Sequence, residues 1–237
     1  MTSPKANSEP ATPGPAAPEP AVPTPPASRS AAPEPALSTP TAPGPTVLAV
    51  VAIAASAGGI TALSEVLGAL PADFPVPVLV VQHLAQHRAS IIAEVLAHRT
   101  VLPVKLAQQG ERIVPGIVYV APPDHHLLIT EDGHVQLDVG EPVHFVRPAA
   151  DQLFESVAKA YGPRALVCVL SGTGRDGAQG AAAVKAGGGL VVVENPASAQ
   201  FKGMPEAAVR AGAVDHILPL AEIGPVLRGL TNLTGTQ

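Results

Sequence analysis

The sequence predicts an α/β protein, a doubly wound three-layer α/β/α fold with a mainly parallel sheet and an antiparallel hairpin insertion. Three observations predict this fold class. Short aliphatic and β-branched runs such as Leu48–Ile53 fit strands that are buried on both faces. Apolar residues at helical spacing alternate with these runs. A Gly turn at 131–134 interrupts the alternation and favours a hairpin.

The elements follow in order from this alternation. The first part is predicted to contain strands and helices in turn: Leu48–Ile53, Ala62–Leu70, Val76–Val81, Ile91–Leu96 and a short strand at Val101–Leu106. The middle is predicted to be an antiparallel excursion with strands at Ile117–Ala121, His126–Thr130 and Val135–Val139. The α/β order then resumes, starting with a helix: Asp151–Tyr161, Ala165–Leu170, Gly177–Ala186, Gly189–Val193, Pro205–Ala211, Val214–Leu218 and Ile223–Leu230.

The prolines divide the 237-residue chain into unequal parts. Of 28 prolines, 14 lie in residues 1–46, a stretch without aromatic residues. Such a segment buries too little apolar surface to offset its ordering entropy, so we expect a disordered Pro/Ala-rich tail there. One folded domain is then predicted over residues 47–229, followed by a short C-terminal tail at 230–237.

Composition excludes several classes of protein. A single cysteine, Cys168, rules out an internal disulfide framework and a thiolate zinc cluster. The net charge of −5 with only 14 Lys and Arg gives no basic stripe for nucleic acid. The longest apolar run, Val47–Ala55, is too short to enter a bilayer as a span, and no secretory signal opens the chain. We therefore expect a cytoplasmic protein.

Candidate catalytic residues follow three of the predicted strands. Ser56 follows the first strand, His83 the second, and Asp176 lies in the loop after Ala165–Leu170. Because the carboxyl ends of parallel strands meet at one edge of a sheet, these side chains are expected to converge there. Ser56 has small neighbours at Ala54 and Gly58, as a serine on a sharp strand-to-helix turn requires. A Ser-His-Asp triad is one interpretation, and an ordinary tight turn is the other.

Separated motifs over residues 48–228 resemble the catalytic (effector) domain of the chemotaxis protein-glutamate methylesterase family, CheB. The motifs that carry the resemblance are Ile53–Gly59, Gln82-His83, Gly110-Glu111, Tyr119–His126, Arg147-Pro148, Leu170–Gly177 and Gly203–Pro205. The resemblance implies a nucleophile at Ser56, a general base at His83 and an orienting carboxylate at Asp176. It also implies hydrolysis of glutamyl methyl esters on the cytoplasmic helices of chemoreceptors, deamidation of receptor glutamines, and no metal or organic cofactor.

The resemblance further implies an oxyanion hole made by the backbone N–H groups of Ala57 and Thr173. Substrate contacts are expected at Gly58, Gly59, Arg147 and Met204. The sequence departs from the family pattern, which has Gly at position 54, Thr at 57, Met at 173 and His at 146. A backbone donor survives a change of side chain, so catalysis is expected to persist.

Regulation is the larger expected departure. Many family members carry an N-terminal phospho-receiver domain over the active site, and residues 1–46 are too short to form one. We therefore expect a stand-alone esterase that is not controlled by its own aspartyl phosphate. Acetyl phosphate should leave the activity of the purified chain unchanged, and a severalfold rise would contradict this.

Two alternatives compete with the esterase interpretation. Gly172–Gly177 reads G-x-G-x-x-G after a strand, and Glu194 ends the next strand 22 residues after Gly172, as in a dinucleotide-binding oxidoreductase. A non-catalytic receptor-binding module would keep the fold without turnover.

His83 and His87 could also pair on a metal, although no H-E-x-x-H pattern surrounds them. Cys168 is expected to be an inert core residue.

Overall fold

A computed structural model of the chain describes residues 47–83 and 89–232. The predicted disordered tail at 1–46 and residue His87 of the predicted histidine pair lie outside the described residues, as do residues 233–237. All of the described residues belong to one compact unit.

Strands and helices alternate along the described residues as the sequence predicts. The strands are β1 (Val50–Ala55), β2 (Val78–Gln82), β3 (Val104–Leu106), β4 (Val118–Val120), β5 (His126–Ile129), β6 (Val135–Asp138), β7 (Ala165–Val169), β8 (Leu190–Glu194) and β9 (His216–Leu218). The α-helices are α1 (Gly59–Gly68), α2 (Ala89–Ala97), α3 (Ala150–Tyr161), α4 (Ala178–Ala186), α5 (Gly203–Arg210) and α6 (Leu220–Asn232).

Seven strands form one parallel sheet in the order β3-β4-β2-β1-β7-β8-β9. The chain first builds outward from β1 through β2, then crosses to the opposite side of β1 to add β7, β8 and β9. Strand order therefore reverses at β1, which creates a crevice at the carboxyl ends of β1, β2 and β7. The predicted fold class, a doubly wound α/β/α sheet with a hairpin insertion, is confirmed.

The hairpin insertion consists of β5 and β6, which pair antiparallel with Leu127 opposite Leu137. Grouping Ile117–Ala121 with this excursion was wrong. That segment contains β4, which lies inside the main sheet and pairs parallel with both β2 and β3. All three residues of β4 are buried, as expected of a strand covered on both faces.

Alternate residues of β1 serve two separate hydrophobic cores. Val51, Ile53 and Ala55 pack with the buried faces of α1, α2 and α6. Val50, Ala52 and Ala54 pack with α3, α4, α5 and the hairpin. Because successive side chains of a strand point to opposite faces, this division places a helical layer on each side of the sheet.

The ends of the last helix differ from the prediction. The sequence suggests Ile223–Leu230, but α6 runs from Leu220 to Asn232 and continues through Pro225. Pro225 lies in the second turn and has no N–H to donate, yet the helix continues through it. Among the described helices, none is both long and apolar enough to cross a membrane.

Candidate active site

Ser56 stands on the turn that joins β1 to α1. Its N–H donates to the carbonyl of Ser171 at 3.0 Å, and its carbonyl accepts from the N–H of Gly59 at 2.9 Å. Gly58 has φ of 74°, a left-handed conformation that favours glycine. A Cβ at Gly58 would lie 2.8 Å from Oγ of Ser171 and 2.6 Å from Oε1 of Gln200. The turn is therefore tight, and it presents Ser56 at the start of a helix.

His83 follows β2 and is tied to β1 by its own backbone. Its N–H donates to the carbonyl of Ala55 at 3.0 Å. Its Nε2 lies 2.7 Å from Oδ2 of Asp176, with the imidazole only 10% exposed. In a neutral imidazole the nitrogen facing the carboxylate carries the proton. Nε2–H therefore donates to Asp176, and Nδ1 is the nitrogen left to accept a proton.

Asp176 is buried and surrounded by donors. Besides His83, its Oδ2 accepts from the N–H of Ala150 at 2.6 Å. Its Oδ1 accepts from the N–H groups of Asp151 and Gly177, each at 3.0 Å. Ala150 and Asp151 open helix α3, so the free amides of a helix N-terminus point at this carboxylate.

The donors around Asp176 decide its ionisation. Burial opposes the charged form, but the hydrogen bonds from His83, Ala150 and Asp151 outweigh it and hold the pKa below its ordinary value. The carboxylate is therefore charged at neutral pH. A charged, fixed carboxylate can orient an imidazole and stabilise an imidazolium.

Two cavities meet at His83. One of about 410 Å³ is bordered by Ser56, Ala57, Gly58 and Gly59 together with Gln82 and His83. The other, of about 390 Å³, is bordered by His83, Asp176 and Thr173, among others. Ser56 Oγ forms no hydrogen bond with any residue that the structure describes, and catalytic hydrogen bonds often tighten only when substrate binds. Ser56 and His83 thus border one cavity, His83 and Asp176 border the other, and the triad itself stays a prediction.

Two backbone donors border these cavities. Within residues 47–83 and 89–232, no acceptor takes a hydrogen bond from the N–H of Ala57 or of Thr173. Ala57 borders the cavity with Ser56, and Thr173 borders the cavity with Asp176. Unpaired amides beside a nucleophile are the donors an oxyanion requires. This arrangement is compatible with the predicted oxyanion hole, which remains a prediction.

Gln82 is a site residue that sequence reasoning did not single out. Its side chain is 5% exposed, and its Nε2 donates to the carbonyls of Ser56 at 2.7 Å and His83 at 2.9 Å. One amide group therefore joins the backbone of the candidate nucleophile to that of the candidate base. The signal was present in the Gln82-His83 motif at a strand end, but nothing in the sequence reveals which backbone groups the amide reaches.

Replacing Gln82 with methionine is expected to lower kcat by roughly 10- to 100-fold with little change in KM. The two carbonyls lose their buried donor, and small displacements of catalytic groups have effects of this size. Gln136→Met on the exposed side of β6 is the matched control and should leave both constants unchanged. A rise in KM at constant kcat for Gln82→Met would show that Gln82 does not position the catalytic residues.

Ser171 joins the loop after β7 to the turn at Ser56. Its Oγ donates to the carbonyl of Ala57 at 2.9 Å and accepts from the N–H of Phe201 at 3.0 Å. Its N–H donates to Oε2 of Glu194 at 2.7 Å. Glu194, the acidic residue that the dinucleotide interpretation assigned to a ribose, therefore holds the loop after β7. Burial raises the pKa of its carboxyl.

Glu194→Gln is expected to raise the melting temperature by a few degrees at pH 8. A carboxyl with a raised pKa favours the folded state most when it is protonated, so its ionisation destabilises the fold as pH rises through the folded-state pKa. The glutamine oxygen can still accept from Ser171. The gain should therefore shrink as pH falls toward and below the ordinary value of 4.5.

Thermal unfolding of Glu194→Gln from pH 4 to pH 8 checks this expectation. Glu131→Gln is the control, because the Glu131 side chain is 70% exposed and should show no such pH-dependent gain. A Glu194→Gln protein that is less stable than wild type at pH 8 would contradict it.

The Gly-rich loop also argues against a dinucleotide site. Asp176 lies within Gly172–Gly177, and the N–H of Gly177 donates to this carboxylate. In a dinucleotide fingerprint the amides at the start of the following helix face a pyrophosphate. Here the Asp176 carboxylate takes the amide of Gly177 and would repel a phosphate.

Arg147 and Met204, predicted to contact substrate, have other partners in this structure. Arg147 donates to Oδ1 of Asp124 from Nε at 2.9 Å, and to the carbonyls of Val139 and Gly140. Met204 is wholly buried, with Sδ 2.2 Å from where a Cβ at Gly172 would lie. Both therefore support the loops around the cavities, and their direct contact with substrate remains a prediction.

One group of side chains has the composition of a metal site. Ligand atoms of His144, Asp151 and Asp176 lie within 4.8 Å of one another. Asp176 already accepts from His83 and three backbone amides, while Asp151 accepts from the N–H of Gly180 at 2.8 Å and faces Nε2 of His144 at 3.1 Å. A cation would have to displace these bonds, so the group fits a hydrogen-bond network better.

Cys168 is buried in β7, and burial raises the pKa of its thiol.

Fold and site together define a candidate serine hydrolase on a doubly wound parallel sheet. The model of the CheB methylesterase family matches residues 51–227, and the chain belongs to that family.

Individual relatives agree with this assignment. A protein-glutamate methylesterase/protein-glutamine glutaminase 4 of Myxococcus xanthus (strain DK1622) is 41% identical over 174 residues, covering 73% of this chain and 49% of the relative. A putative protein-glutamate methylesterase/protein-glutamine glutaminase of Leptospira interrogans is 39% identical, covering 73% of this chain and 90% of the relative. The chain thus spans about half the length of the Myxococcus relative and most of the Leptospira one.

A solved structure confirms the fold. The crystal structure of the Thermotoga maritima CheB methylesterase catalytic domain superposes with a TM-score of 0.75 at 35% sequence identity, covering 77% of this chain and 98% of that chain.

Proposed function

We propose that this chain is a protein-glutamate methylesterase that hydrolyses γ-glutamyl methyl esters on the cytoplasmic helices of chemoreceptors. The observation that carries the proposal is the bond between Nε2 of His83 and the buried, charged Asp176 beside a cavity that Ser56 and His83 share. Membership of the CheB methylesterase family supports the same reaction. We also propose that the chain works in the cytoplasm, where those helices lie.

In the first half of the proposed reaction, Ser56 Oγ attacks the ester carbonyl carbon. Nδ1 of His83 takes the hydroxyl proton, while Nε2–H remains bonded to Asp176. The carbonyl oxygen becomes an oxyanion, and we propose that it accepts from the N–H groups of Ala57 and Thr173. Collapse of this intermediate breaks the bond to the methoxy oxygen, which takes the proton from His83 and leaves as methanol.

In the second half, water attacks the acyl group on Ser56. His83 takes a proton from the water as it adds, and returns it to Ser56 Oγ as the acyl bond breaks. The product is a glutamate side chain, and one water is consumed for each methanol released. A glutamine side chain would follow the same course with ammonia as the leaving group. We therefore propose protein-glutamine deamidation as a second activity.

The substrate side chain is proposed to enter along the turn at Gly58 and Gly59. Both glycines border the Ser56 cavity. A Cβ at Gly59 would lie 2.1 Å from Oε1 of Gln82, so a larger residue would push the bridging amide away. Glycine at this position thus preserves both the space for substrate and the contact that joins Ser56 to His83.

Methanol release from a methylated receptor fragment tests the proposal. The purified chain should release methanol from the cytoplasmic fragment of a receptor that carries radiolabelled methyl esters. The same fragment without methyl esters should give none. No release above the spontaneous rate would contradict the proposed function.

A further inference from the structure

Phe145 is a large apolar side chain left wholly in solvent beside the candidate active site. Its relative exposure is 101%, the highest of the large hydrophobic residues that the structure describes. It borders the cavity of about 390 Å³ that also contains His83, Thr173 and Asp176. An aromatic side chain at the mouth of a catalytic cavity is well placed to contact whatever enters it.

The backbone holds Phe145 in an unfavourable conformation. Val143 and Val146 exchange two hydrogen bonds, at 3.1 and 3.0 Å, around a two-residue turn made of His144 and Phe145. Both central residues have positive φ, 52° and 66°. Such turns prefer Asn and Gly, and a bulky residue with positive φ is an outlier. The exposed ring of Phe145 gains no burial that would offset this strain.

Side-chain contacts of His144 and Arg147 hold the turn in place. Nε2 of His144 lies 3.1 Å from Oδ2 of the buried Asp151, beside Asp176. The guanidinium of Arg147 holds the start of the same loop through the carbonyls of Val139 and Gly140. Phe145 is therefore displayed on a fixed support next to the catalytic groups, which lowers the ordering cost of a contact with a partner.

We propose that Phe145 is a specificity-determining residue that contacts an apolar side chain of the substrate helix, one helical turn from the methyl ester. The proposal rests on the proposed function. When the esterified side chain reaches Ser56, residues three and four positions away lie on the same face of its helix. Exposed aromatic residues on rigid supports are the usual anchors of such interfaces.

Phe145→Gly separates docking from folding. Glycine suits the positive φ, so the variant should be at least as heat-stable as wild type. Its KM for methanol release from a methylated receptor fragment should rise about tenfold, with kcat within about twofold. Hydrolysis of free glutamate γ-methyl ester, which lacks the neighbouring side chains of a helix, should be unchanged. Phe145→Ala should show the same KM effect.

Val101→Ala is the matched control for loss of an exposed apolar side chain. Val101 is 69% exposed and precedes β3 at its amino end, whereas the candidate active site lies at the carboxyl ends of the strands. It should change neither constant. An unchanged KM in Phe145→Gly, with active wild type, would overturn the docking role alone. Absence of methanol release by wild type would overturn the proposed function, and the docking role with it.

Discussion

Ser56→Ala is expected to lower kcat for methanol release by about a million-fold. Alanine has no hydroxyl to attack the ester, so no acyl-enzyme can form, and His83 cannot replace it. The fold should persist, because Ser56 Oγ makes no hydrogen bond with the described residues and its backbone bonds to Ser171 and Gly59 do not depend on the side chain.

Radiolabelled methanol release, with circular dichroism to verify folding, checks this expectation. Ser64→Ala is the matched control, since Ser64 lies on α1 and its hydroxyl donates to the carbonyl of Ile60, one turn earlier. Ser64→Ala should keep wild-type turnover. If folded Ser56→Ala released methanol at even a tenth of the wild-type rate, Ser56 would not be the nucleophile.

Asp176→Asn is expected to lower kcat by about 10⁴-fold, because a neutral amide neither fixes the His83 tautomer nor stabilises its imidazolium. The structure also predicts a loss of stability in this variant. Both oxygens of Asp176 accept from backbone amides, so whichever way the new side chain turns, its NH₂ faces an N–H donor. The variant should therefore also unfold at a lower temperature, because a buried donor is left without an acceptor.

Thermal unfolding and turnover of Asp176→Asn should be measured together. Asp132→Asn, at an exposed hairpin position with a side chain 74% accessible, is the control and should keep wild-type turnover. The stability difference between Asp176→Asn and wild type should also shrink at acid pH. Because the pKa of Asp176 is lower in the folded than in the unfolded protein, its ionisation stabilises the fold at pH values above the unfolded-state pKa. This contribution disappears as pH falls through the folded-state pKa. Turnover within tenfold of wild type would contradict the assigned role.

Sequence patterns were sufficient to predict the fold and the place of the candidate site, because both follow from short-range signals. Apolar runs separated by helical spacing define parallel strands, and the ends of such strands converge by topology alone. Ser56, His83 and Asp176 were selected in this way, and their catalytic roles stay a prediction. The mistake at β4 has the same origin. A buried strand of three residues has the same apolar pattern in a parallel sheet and in an antiparallel one. Only the long-range pairing with Val78–Val80 shows that β4 is parallel.

The contacts that hold the site could not be predicted from the sequence. The amides of Ala150 and Asp151 reach Asp176 from the start of α3, and the Gln82 amide reaches the carbonyl of Ser56, 26 residues earlier in the chain. These bonds join segments distant in sequence through backbone groups that every residue possesses. The orientation of the His83 ring and the positive φ of Phe145 likewise depend on tertiary structure.

The most direct test of Ser56 as the nucleophile is covalent labelling of the chain with a fluorophosphonate, followed by mass spectrometry of its peptides. The proposed mechanism predicts one phosphonyl group per chain, carried by Ser56, with methanol release lost in proportion to labelling. Ser56→Ala should remain unlabelled. Labelling of a different residue with loss of activity, or a labelled Ser56 in a fully active protein, would contradict it.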